Sequence, residues 1–292
     1  MPQQEWSIGI YAGTSPYALA APPQVQNPVL TRTQVSDVPA AFVADPFMLR
    51  VHNVWYMFFE VLNQQTDRGE IGLASSNNGM QWQYQGRVLQ EPFHLSYPYV
   101  FAWSGDYYMI PETYQAGAVR LYQAQPFPSH WSCVATLLRS PYCADSSLFR
   151  HGDLWWLFSD TSLDMRHDTL RLYYAPDLRG PWHEHPASPV ITQNPHIARP
   201  AGRVLVDNGR IIRYTQDCYP VYGTQVRAFE VTELTTTRYH EHMLADRLVL
   251  TGSGIGWNAA GMHHIDPHRL ADGSWLACVD GFFWNDGPAE PL

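Results

Sequence analysis

A hairpin of fixed length recurs three times in this chain, and it constrains the fold more than any other sequence feature. Each copy opens on a polar residue, runs through a short apolar strand and a polar turn, and returns through a strand with paired aromatic residues. The copies are residues 45–60, 97–112 and 145–160, so their end residues are 15 positions apart each time. An alternating strand and a Trp-containing strand follow each hairpin, which completes a four-stranded unit.

Two looser copies of the hairpin follow, at residues 199–217 and 264–280. The five units begin near positions 45, 97, 145, 199 and 264 and are therefore 52, 48, 54 and 65 residues apart, against roughly 40–50 for one four-stranded propeller blade. The sequence predicts an all-β fold, a five-bladed β-propeller with four-stranded blades, as a single domain over residues 1–292. The last copy lacks outer strands, and the N-terminal segment WSIGIYAG is predicted to supply one and close the ring.

Composition and charge narrow the function classes. Apolar residues make up 45% of the chain and charged residues only 15%, a balance that favours packed strands. The net charge is −9 and no stretch gathers basic residues, so we expect no nucleic-acid partner. No run of about 18 apolar residues predicts a membrane span, and the N-terminus lacks the features of a signal peptide. We therefore expect a cytoplasmic protein, and no sequence motif predicts a cofactor.

The hairpins predict a polar ring at the centre of the propeller. A hairpin returns the chain to the rim from which it left, so both ends of each copy face one funnel. The ten positions are Asp45, Tyr97, Asp145, Arg199 and His264 at the first-strand starts, with Glu60, Glu112, Asp160, Asp217 and Asp280 at the second-strand ends. The alternative role for a ring aspartate is structural, because its carboxylate can accept hydrogen bonds from backbone amides of the next blade.

The ring carboxylates predict glycoside chemistry. That chemistry needs one ionised carboxylate and one protonated carboxyl on either side of the scissile bond, and crowding acids in a partly dry funnel raises the pKa of at least one of them. Asp45, Glu112 and Asp145 are the candidate catalytic residues. The candidate substrate-binding residues are Tyr97, Arg199, Arg203, Asp217, His264, Glu60 and Asp160.

Two arginines in the segment RPAGR suggest an anionic group on the sugar. Arg199 and Arg203 can each grip a carboxylate or phosphate through a bidentate fork. The alternative for either arginine is a salt bridge between blades.

The segment GMHHIDPH is the densest candidate for a metal site. His264, Asp266 and His268 would share one face of a strand, with His263 beside them, and imidazole and carboxylate groups together suit divalent ions. Nothing elsewhere in the sequence completes such a site, so we predict no metal and favour a substrate-binding or polar ring role for His264.

The motifs ADPFMLR and ADSSLFRHGDLWWLFSD resemble the blade-start motifs of five-bladed glycosidases of the family 43 type. Those families use a base Asp on the first blade, a general acid Glu and an Asp that tunes the acid. The resemblance implies that Asp45 is the base, and that Glu112 and Asp145 fill the other two roles.

Nearly the whole chain resembles a second family, the N-terminal propeller domain of plant glucosamine inositolphosphorylceramide transferases and its stand-alone bacterial relatives. The motifs that carry the resemblance are WSIGIYAGTSPY, ADPFM, EPFHLSYPYVF, YYMIPET, RPAGR, QDC with the following YG, and GMHHID. In the plant proteins a separate glycosyltransferase domain follows, and we expect none within these 292 residues. We expect a carbohydrate-active enzyme, a glycoside hydrolase or a glycosyl-transferring enzyme, with a glycan or sugar conjugate as its partner. The alternative is a non-catalytic module that binds a glycan or assists a glycosyltransferase.

Overall fold

The computed structural model describes residues 3–244 and 248–285, which form the predicted five-bladed β-propeller. Short 3-10 turns at Arg32–Gln34, Tyr114–Ala116, Leu163–Met165 and Gly256–Asn258 are the only helical segments in this part of the chain. The N-terminal strands are β1 (Gln3–Ser15) and β2 (Ala18–Ala20). Blade 1 contains β3 (Ala40–Val51), β4 (Val54–Asn63), β5 (Arg68–Ser76) and β6 (Gln83–Leu89). Blade 2 contains β7 (Ser96–Trp103), β8 (Asp106–Glu112), β9 (Ala118–Ala124) and β10 (Trp131–Arg139).

Blade 3 contains β11 (Ala144–His151), β12 (Leu154–Asp160), β13 (Leu170–Ala175) and β14 (His183–Glu184). Blade 4 contains β15 (Leu205–Asp207), β16 (Arg210–Gln216), β17 (Gln225–Leu234) and β18 (Tyr239–Met243), with the short β19 (Leu250–Thr251) also paired to β17. Blade 5 begins with β20 (Ile265–Arg269) and β21 (Trp275–Asn285). No helix in the described residues has the length and apolar character to cross a bilayer.

The two ends of the chain share blade 5, as the sequence predicts. Its strands lie in the order β20-β21-β1-β2, so the N-terminal segment supplies both outer strands and not only one. The antiparallel pairing of β1 with β21 runs from Gln3 opposite Asn285 to Gly13 opposite Trp275. Ile8 and Ile10 of β1 are fully buried. Residues distant in sequence therefore close the ring, and β21 has no open edge.

The constant hairpin length reflects a β-bulge that is repeated in blades 1, 2 and 3. The register between the first two strands shifts at Asp45, Tyr97 and Asp145, which have φ values of 53°, 46° and 46°. A left-handed conformation costs a residue other than glycine on the order of 1–3 kcal/mol, so neighbouring contacts must hold each of these residues in place. The bulge turns each backbone N–H toward the preceding blade.

Blade 4 departs from the expected pattern at its inner strand. The predicted start near residue 199 is not a regular strand, because β15 begins only at Leu205. Pro200 has no N–H to donate to a ladder, and it makes only an isolated bridge with Thr215. Gly202 instead forms a parallel bridge with Ile265 of blade 5. The RPAGR segment therefore links two blades.

Candidate functional site

A cavity of about 990 Å³ occupies the funnel at the rim where the hairpins begin and end. Asp45, Glu60, Glu112 and Arg199 of the predicted ring line this cavity. Tyr114, Tyr142, Tyr222, Trp6 and Trp284 contribute aromatic surface, and His94, His167 and His263 contribute imidazole groups. The cavity therefore combines ionisable groups with aromatic walls, the composition expected of a site for a small polar ligand.

Carboxylates hold the three bulged residues from the preceding blade. The Asp45 N–H donates to Asp280 Oδ2 at 3.0 Å, and the Tyr97 N–H donates to Asp45 Oδ2 at 3.3 Å. The Asp145 N–H donates to Glu112 Oε2 at 3.1 Å. Asp280, Asp45 and Glu112 thus accept hydrogen bonds from backbone amides of the next blade. This is the structural role considered above for a ring aspartate. The cavity-lining carboxylates Asp45 and Glu112 have this role and also face the cavity.

Asp45 and Asp280 lie close together but differ in ionisation. Asp280 accepts hydrogen bonds from the backbone amides of Asp45, His263 and His264 and from His263 Nδ1. Burial opposes ionisation of Asp280, but His263 and these donors hold its pKa below the usual range. Burial raises the pKa of Asp45 to about 7, an effect that His263 opposes and the Asp145 and Asp280 charges reinforce. One carboxylate is therefore fixed as an anion, while the other titrates near neutral pH.

Two glutamates in the same cavity have strongly raised pKa values. Burial is the main cause for Glu60, and the negative charges of Asp45 and Glu112 add to it. Burial also raises the pKa of Glu112, with Asp145 adding to the rise and Arg199 opposing it. Both carboxyl groups are therefore suited to hold a proton at neutral pH.

Arg199 joins blades 2, 3 and 4 beneath the cavity. Its Nε donates to Asp145 Oδ2 at 2.5 Å, and its Nη2 lies 3.4 Å from Glu112 Oε2. Burial would lower the pKa of Arg199, but the adjacent Asp145 carboxylate raises it, so the guanidinium stays charged. The Tyr222 ring lies 5.2 Å from the guanidinium carbon.

Asp145, one of the three candidate catalytic residues, is buried and is not part of the cavity lining. Its Oδ2 accepts from Arg199 and from Gln216 Nε2, the latter at 2.9 Å. The structure therefore brings Asp145 to the floor of the site, where it acts on Arg199 and on the ionisation of Glu112 and not directly on the cavity space.

Five predicted substrate-binding residues also lie outside the cavity lining, namely Tyr97, Arg203, Asp217, His264 and Asp160. The Tyr97 hydroxyl is buried and bonds Ser147 Oγ and the backbone of Gly202. Asp160 accepts from Ser162, and Asp217 accepts from four donors, including Arg227 Nη1 at 2.9 Å. These contacts hold loops beside the funnel.

Arg203 takes the alternative role of an inter-blade salt bridge. Its Nε donates to Asp266 Oδ1 at 2.6 Å, and its Nη2 donates to the Val100 carbonyl at 2.9 Å. Asp266 also accepts from the Met48 N–H and from His268. The proposed grouping of His264, Asp266 and His268 is therefore divided, because Asp266 and His268 belong to this salt-bridge network.

His263, not the His264 grouping, lies among potential metal ligands. One ligand atom each of Asp45, His263 and Asp280 falls within a 4.8 Å cluster. The same residues form an ion-paired network, with His263 Nδ1 2.8 Å from Asp280 Oδ1 and His263 Nε2 3.6 Å from Asp45 Oδ1. Burial opposes protonation of His263, but the Asp280 charge raises its pKa. An imidazolium between two carboxylates accounts for this arrangement.

Several cavity residues were missed because the ring prediction considered only the ends of hairpins. His94 lies in the connection that enters blade 2, Tyr222 lies in a loop of blade 4, and Trp6 belongs to β1. Trp6 stacks on the His263 ring with a centroid distance of 4.0 Å. The connections between blades end at the same rim as the hairpins, so extending the search by three residues before Tyr97 would have found His94.

Comparisons with known proteins give one family and one group of folds. The model of the family described as glucosamine inositolphosphorylceramide transferase 1, N-terminal, matches residues 2–282. Glucosamine inositolphosphorylceramide transferase 1 from Oryza sativa subsp. japonica is 35% identical over 298 residues, covering 94% of this chain and 40% of the rice protein. The protein of that name from Arabidopsis thaliana is 32% identical over 296 residues, covering 94% and 39%. The chain thus spans about two fifths of the length of these relatives.

Solved structures show the same fold at low sequence identity. The catalytic domain of a GH62 α-L-arabinofuranosidase from Coprinopsis cinerea has a TM-score of 0.61 at 13% identity, covering 95% of this chain and 96% of that one. A putative glycosidase from Bacteroides thetaiotaomicron has a TM-score of 0.60 at 12% identity, covering 88% and 95%. An α-L-arabinanase from Cellvibrio cellulosa has a TM-score of 0.54 at 14% identity, covering 69% and 78%.

Proposed function

Because this chain belongs to the family of glucosamine inositolphosphorylceramide transferase N-terminal domains, we propose that its funnel binds a sugar conjugate and cleaves or transfers the glycosyl group. The two relatives are both named glucosamine inositolphosphorylceramide transferase 1. The solved structures of similar fold are named as glycosidases. Both sets of names agree with a carbohydrate ligand for this propeller.

The observation that carries the proposal is that carboxyl groups of different ionisation line one cavity. Asp45 has a pKa of about 7, while the pKa values of Glu60 and Glu112 lie well above the usual range for glutamate. Glycosyl chemistry needs this division, with one group able to accept a proton and another able to donate one.

In the proposed reaction Asp45 is the base. Its Oδ2 accepts the Tyr97 N–H, which fixes the carboxylate relative to the funnel wall. Asp45 takes a proton from water or from an acceptor hydroxyl as that oxygen attacks the anomeric carbon. One of the two funnel glutamates donates a proton to the departing oxygen. The aromatic rings of Trp6, Tyr114 and Tyr222 offer faces on which a sugar can pack.

The charge of the cavity favours a neutral or cationic sugar over an anionic one. Arg199 and Arg203, which suggested an anionic substrate, are both held by protein carboxylates. Ionised Asp45 would repel a further anion, and the protonated Glu60 and Glu112 offer it no positive charge.

The test is turnover of a panel of aryl glycosides and oligosaccharides by the wild type and by Asp45→Asn. We expect sugar release by the wild type, with a decrease of at least ~100-fold in kcat for the variant. The wild-type rate should fall as the pH drops through about 7, because protonation of Asp45 removes the base. Asp153 is exposed in the turn between β11 and β12 of blade 3. Asp153→Asn is therefore the matched control and should retain wild-type turnover. Equal rates for the wild type and Asp45→Asn on every accepted substrate would exclude the proposed reaction.

A second candidate function is glycan binding without turnover. The observation that favours it is that Asp45 and Glu112 also hold backbone amides of the next blade, so both carboxylates have a structural role. Saturable binding of an oligosaccharide with no release by any protein in the same panel would support this function.

A further inference from the structure

We propose that Glu60 is the proton donor of the funnel and that His94, from the connection into blade 2, is the residue that positions it. This assignment rests on the proposed glycosyl chemistry and chooses between the two glutamates that line the cavity.

Backbone contacts fix the tautomer of His94. The Gly69 N–H donates to His94 Nδ1 at 3.0 Å, so Nδ1 must be unprotonated. Burial and the charge of Arg199 lower the pKa of His94, which keeps the ring neutral at pH 7. The single ring proton of neutral His94 therefore lies on Nε2.

The Nε2 side of the His94 ring lies beside Glu60. His94 Nε2 lies 3.4 Å from Glu60 Oε1, and no other histidine, lysine or arginine in the described part of the chain lies within 4.0 Å of that carboxyl. Catalytic contacts of this length commonly shorten when substrate binds. When substrate binding brings the Nε2–H onto a lone pair of Oε1, the carboxyl proton lies on Oε2, which has no hydrogen-bond donor among the described residues.

The backbone at Gly69 is shaped around the same two side chains. A Cβ at this position would lie 2.3 Å from the Leu95 carbonyl oxygen, 2.6 Å from Glu60 Oε1 and 2.8 Å from His94 Cε1. Real side chains essentially never approach so closely. Glycine at position 69 therefore leaves room for the Leu95 carbonyl as well as for His94 and Glu60.

Glu112 is less suited to donate a proton. Its Oε2 accepts the Asp145 N–H and also lies 3.4 Å from Arg199 Nη2. Both contacts favour the ionised form of that carboxyl and so oppose the rise in its pKa that burial causes. Glu112 therefore serves the floor of the site, while Glu60 keeps one oxygen available to the cavity.

The proton balance of the step is complete. Water attacks the anomeric carbon and gives its proton to the ionised Asp45. The bond from the anomeric carbon to the leaving oxygen breaks, the electron pair stays on that oxygen, and the oxygen takes the proton of Glu60. One water is consumed and two hydroxyl products form, or one acceptor alcohol is consumed in a transfer. Exchange with solvent then returns a proton to Glu60 and removes one from Asp45.

The kinetic test compares two substrates with the same sugar, one with a nitrophenol leaving group and one with an alkyl alcohol. An alkyl alcohol needs a proton to depart and a nitrophenol does not. We expect Glu60→Gln to lower kcat on the alkyl glycoside by ~100-fold or more and to affect the nitrophenyl glycoside by less than ~10-fold. Glu112→Gln should lower both rates by similar factors, and Glu184→Gln, on the outer strand β14, should change neither.

Three outcomes of this comparison would contradict the assignment. Equal losses on both substrates in Glu60→Gln, or a loss confined to the alkyl substrate in Glu112→Gln, would overturn it while leaving the proposed function in place. No turnover of any substrate by the wild type would overturn the proposed function, and the assignment with it.

The role of His94 is tested by the alkaline limb of the pH–rate profile. An N–H donor stabilises the ionised carboxylate, so His94→Ala should raise the pKa of Glu60 and move the alkaline limb to higher pH. His94→Gln retains an N–H donor at a similar reach and should keep the wild-type limb. A merely structural role would lower the rate in both variants without moving the limb, and that result would exclude His94 as a positioning residue.

A measurement without turnover tests whether Glu60 holds a proton. In a protein with ¹³C-labelled glutamate carboxyls, NMR titration should show resonances that remain in the protonated form above pH 7, and one of them should be missing in Glu60→Gln. Loss of none of these resonances in that variant would overturn the assignment.

Discussion

At the residue scale, two neighbouring aspartates differ in ionisation because they accept different numbers of hydrogen bonds. Asp280 accepts three backbone amides and an imidazole N–H, whereas Asp45 accepts one backbone amide from Tyr97. Both are buried, so the difference in donors decides which of them is fixed as an anion. The ionisation of Asp45 near pH 7 is thus a property of the fold around it.

The ionisation of Asp45 should make the protein less stable at high pH. Because burial raises its pKa to about 7, the unfolded state loses this proton first as the pH rises from about 4, and the free energy of unfolding falls until about pH 7. Asp45→Asn removes the cost of ionising this buried carboxyl and keeps an oxygen acceptor for the Tyr97 N–H. The loss of a partner for His263 offsets part of this gain. We therefore expect the free energy of unfolding to rise by a net amount on the order of 2 kcal/mol at pH 8 and by almost nothing at pH 4.

Urea denaturation of both proteins at the two pH values measures this difference, with Asp153→Asn as a surface control. A variant that is less stable than the wild type at pH 8 would show that Asp45 is ionised in the folded protein at little cost.

The residue types at the site were partly predictable from sequence. Asp45, Glu60, Glu112 and Arg199 line the cavity because hairpin ends of equal spacing must return to one rim. Side-chain direction was not predictable, since Asp145 and Asp160 begin and end the same kind of hairpin but lie outside the cavity lining. The difference arises from local partners, such as Ser162 for Asp160, that no repeat pattern specifies.

At the element scale, the repeated bulge explains why three hairpins have one length. The residue at each bulge directs its N–H to a carboxylate of the preceding blade. Equal spacing between Asp45 and Glu60, and in the two later copies, follows from this shared geometry. The sequence predicted the spacing and the rim, but aspartate and tyrosine adopt a left-handed φ too rarely for the residue type alone to mark these positions.

The link between blades 4 and 5 should depend on Gly202. Its φ is 131°, and an added Cβ would lie 1.8 Å from the Ile265 carbonyl oxygen of β20. We expect Gly202→Ala to lower the free energy of unfolding by about 3 kcal/mol or more, since backbone atoms would have to move. Gly209→Ala is the control, because its φ is also positive but its Cβ would meet nothing within 4 Å, and it should cost about 1 kcal/mol.

Chemical denaturation of the two variants and the wild type gives both values. Similar losses for Gly202→Ala and Gly209→Ala would mean that φ alone matters and that the contact of Gly202 with β20 does not.

At the scale of the whole molecule, blade 5 joins both ends of the chain. The sequence predicted this closure because the last repeat lacks outer strands and WSIGIYAG can pair with it. It did not predict that β2 completes the blade, since three residues carry too little pattern to identify a strand.

Removal of the closing strands should abolish the cooperative fold. A chain lacking residues 1–20 would expose the edge of β21 and the apolar surface against which Ile8 and Ile10 pack. We expect no cooperative thermal transition for this truncated chain, and recovery of one when a peptide of residues 1–20 is added. A truncated chain that unfolds cooperatively near the wild-type Tm would show that the other blades fold without closure.

The central claim, that the funnel is the sugar site, is tested most directly by a crystal structure of Asp45→Asn with an oligosaccharide selected in the glycan panel. We predict that the sugar occupies the cavity, with its glycosidic bond between residue 45 and Glu60 and a ring packed on an aromatic wall residue such as Trp6 or Tyr222. A sugar bound on the outer strands or on the opposite face, with the funnel unchanged, would contradict this account.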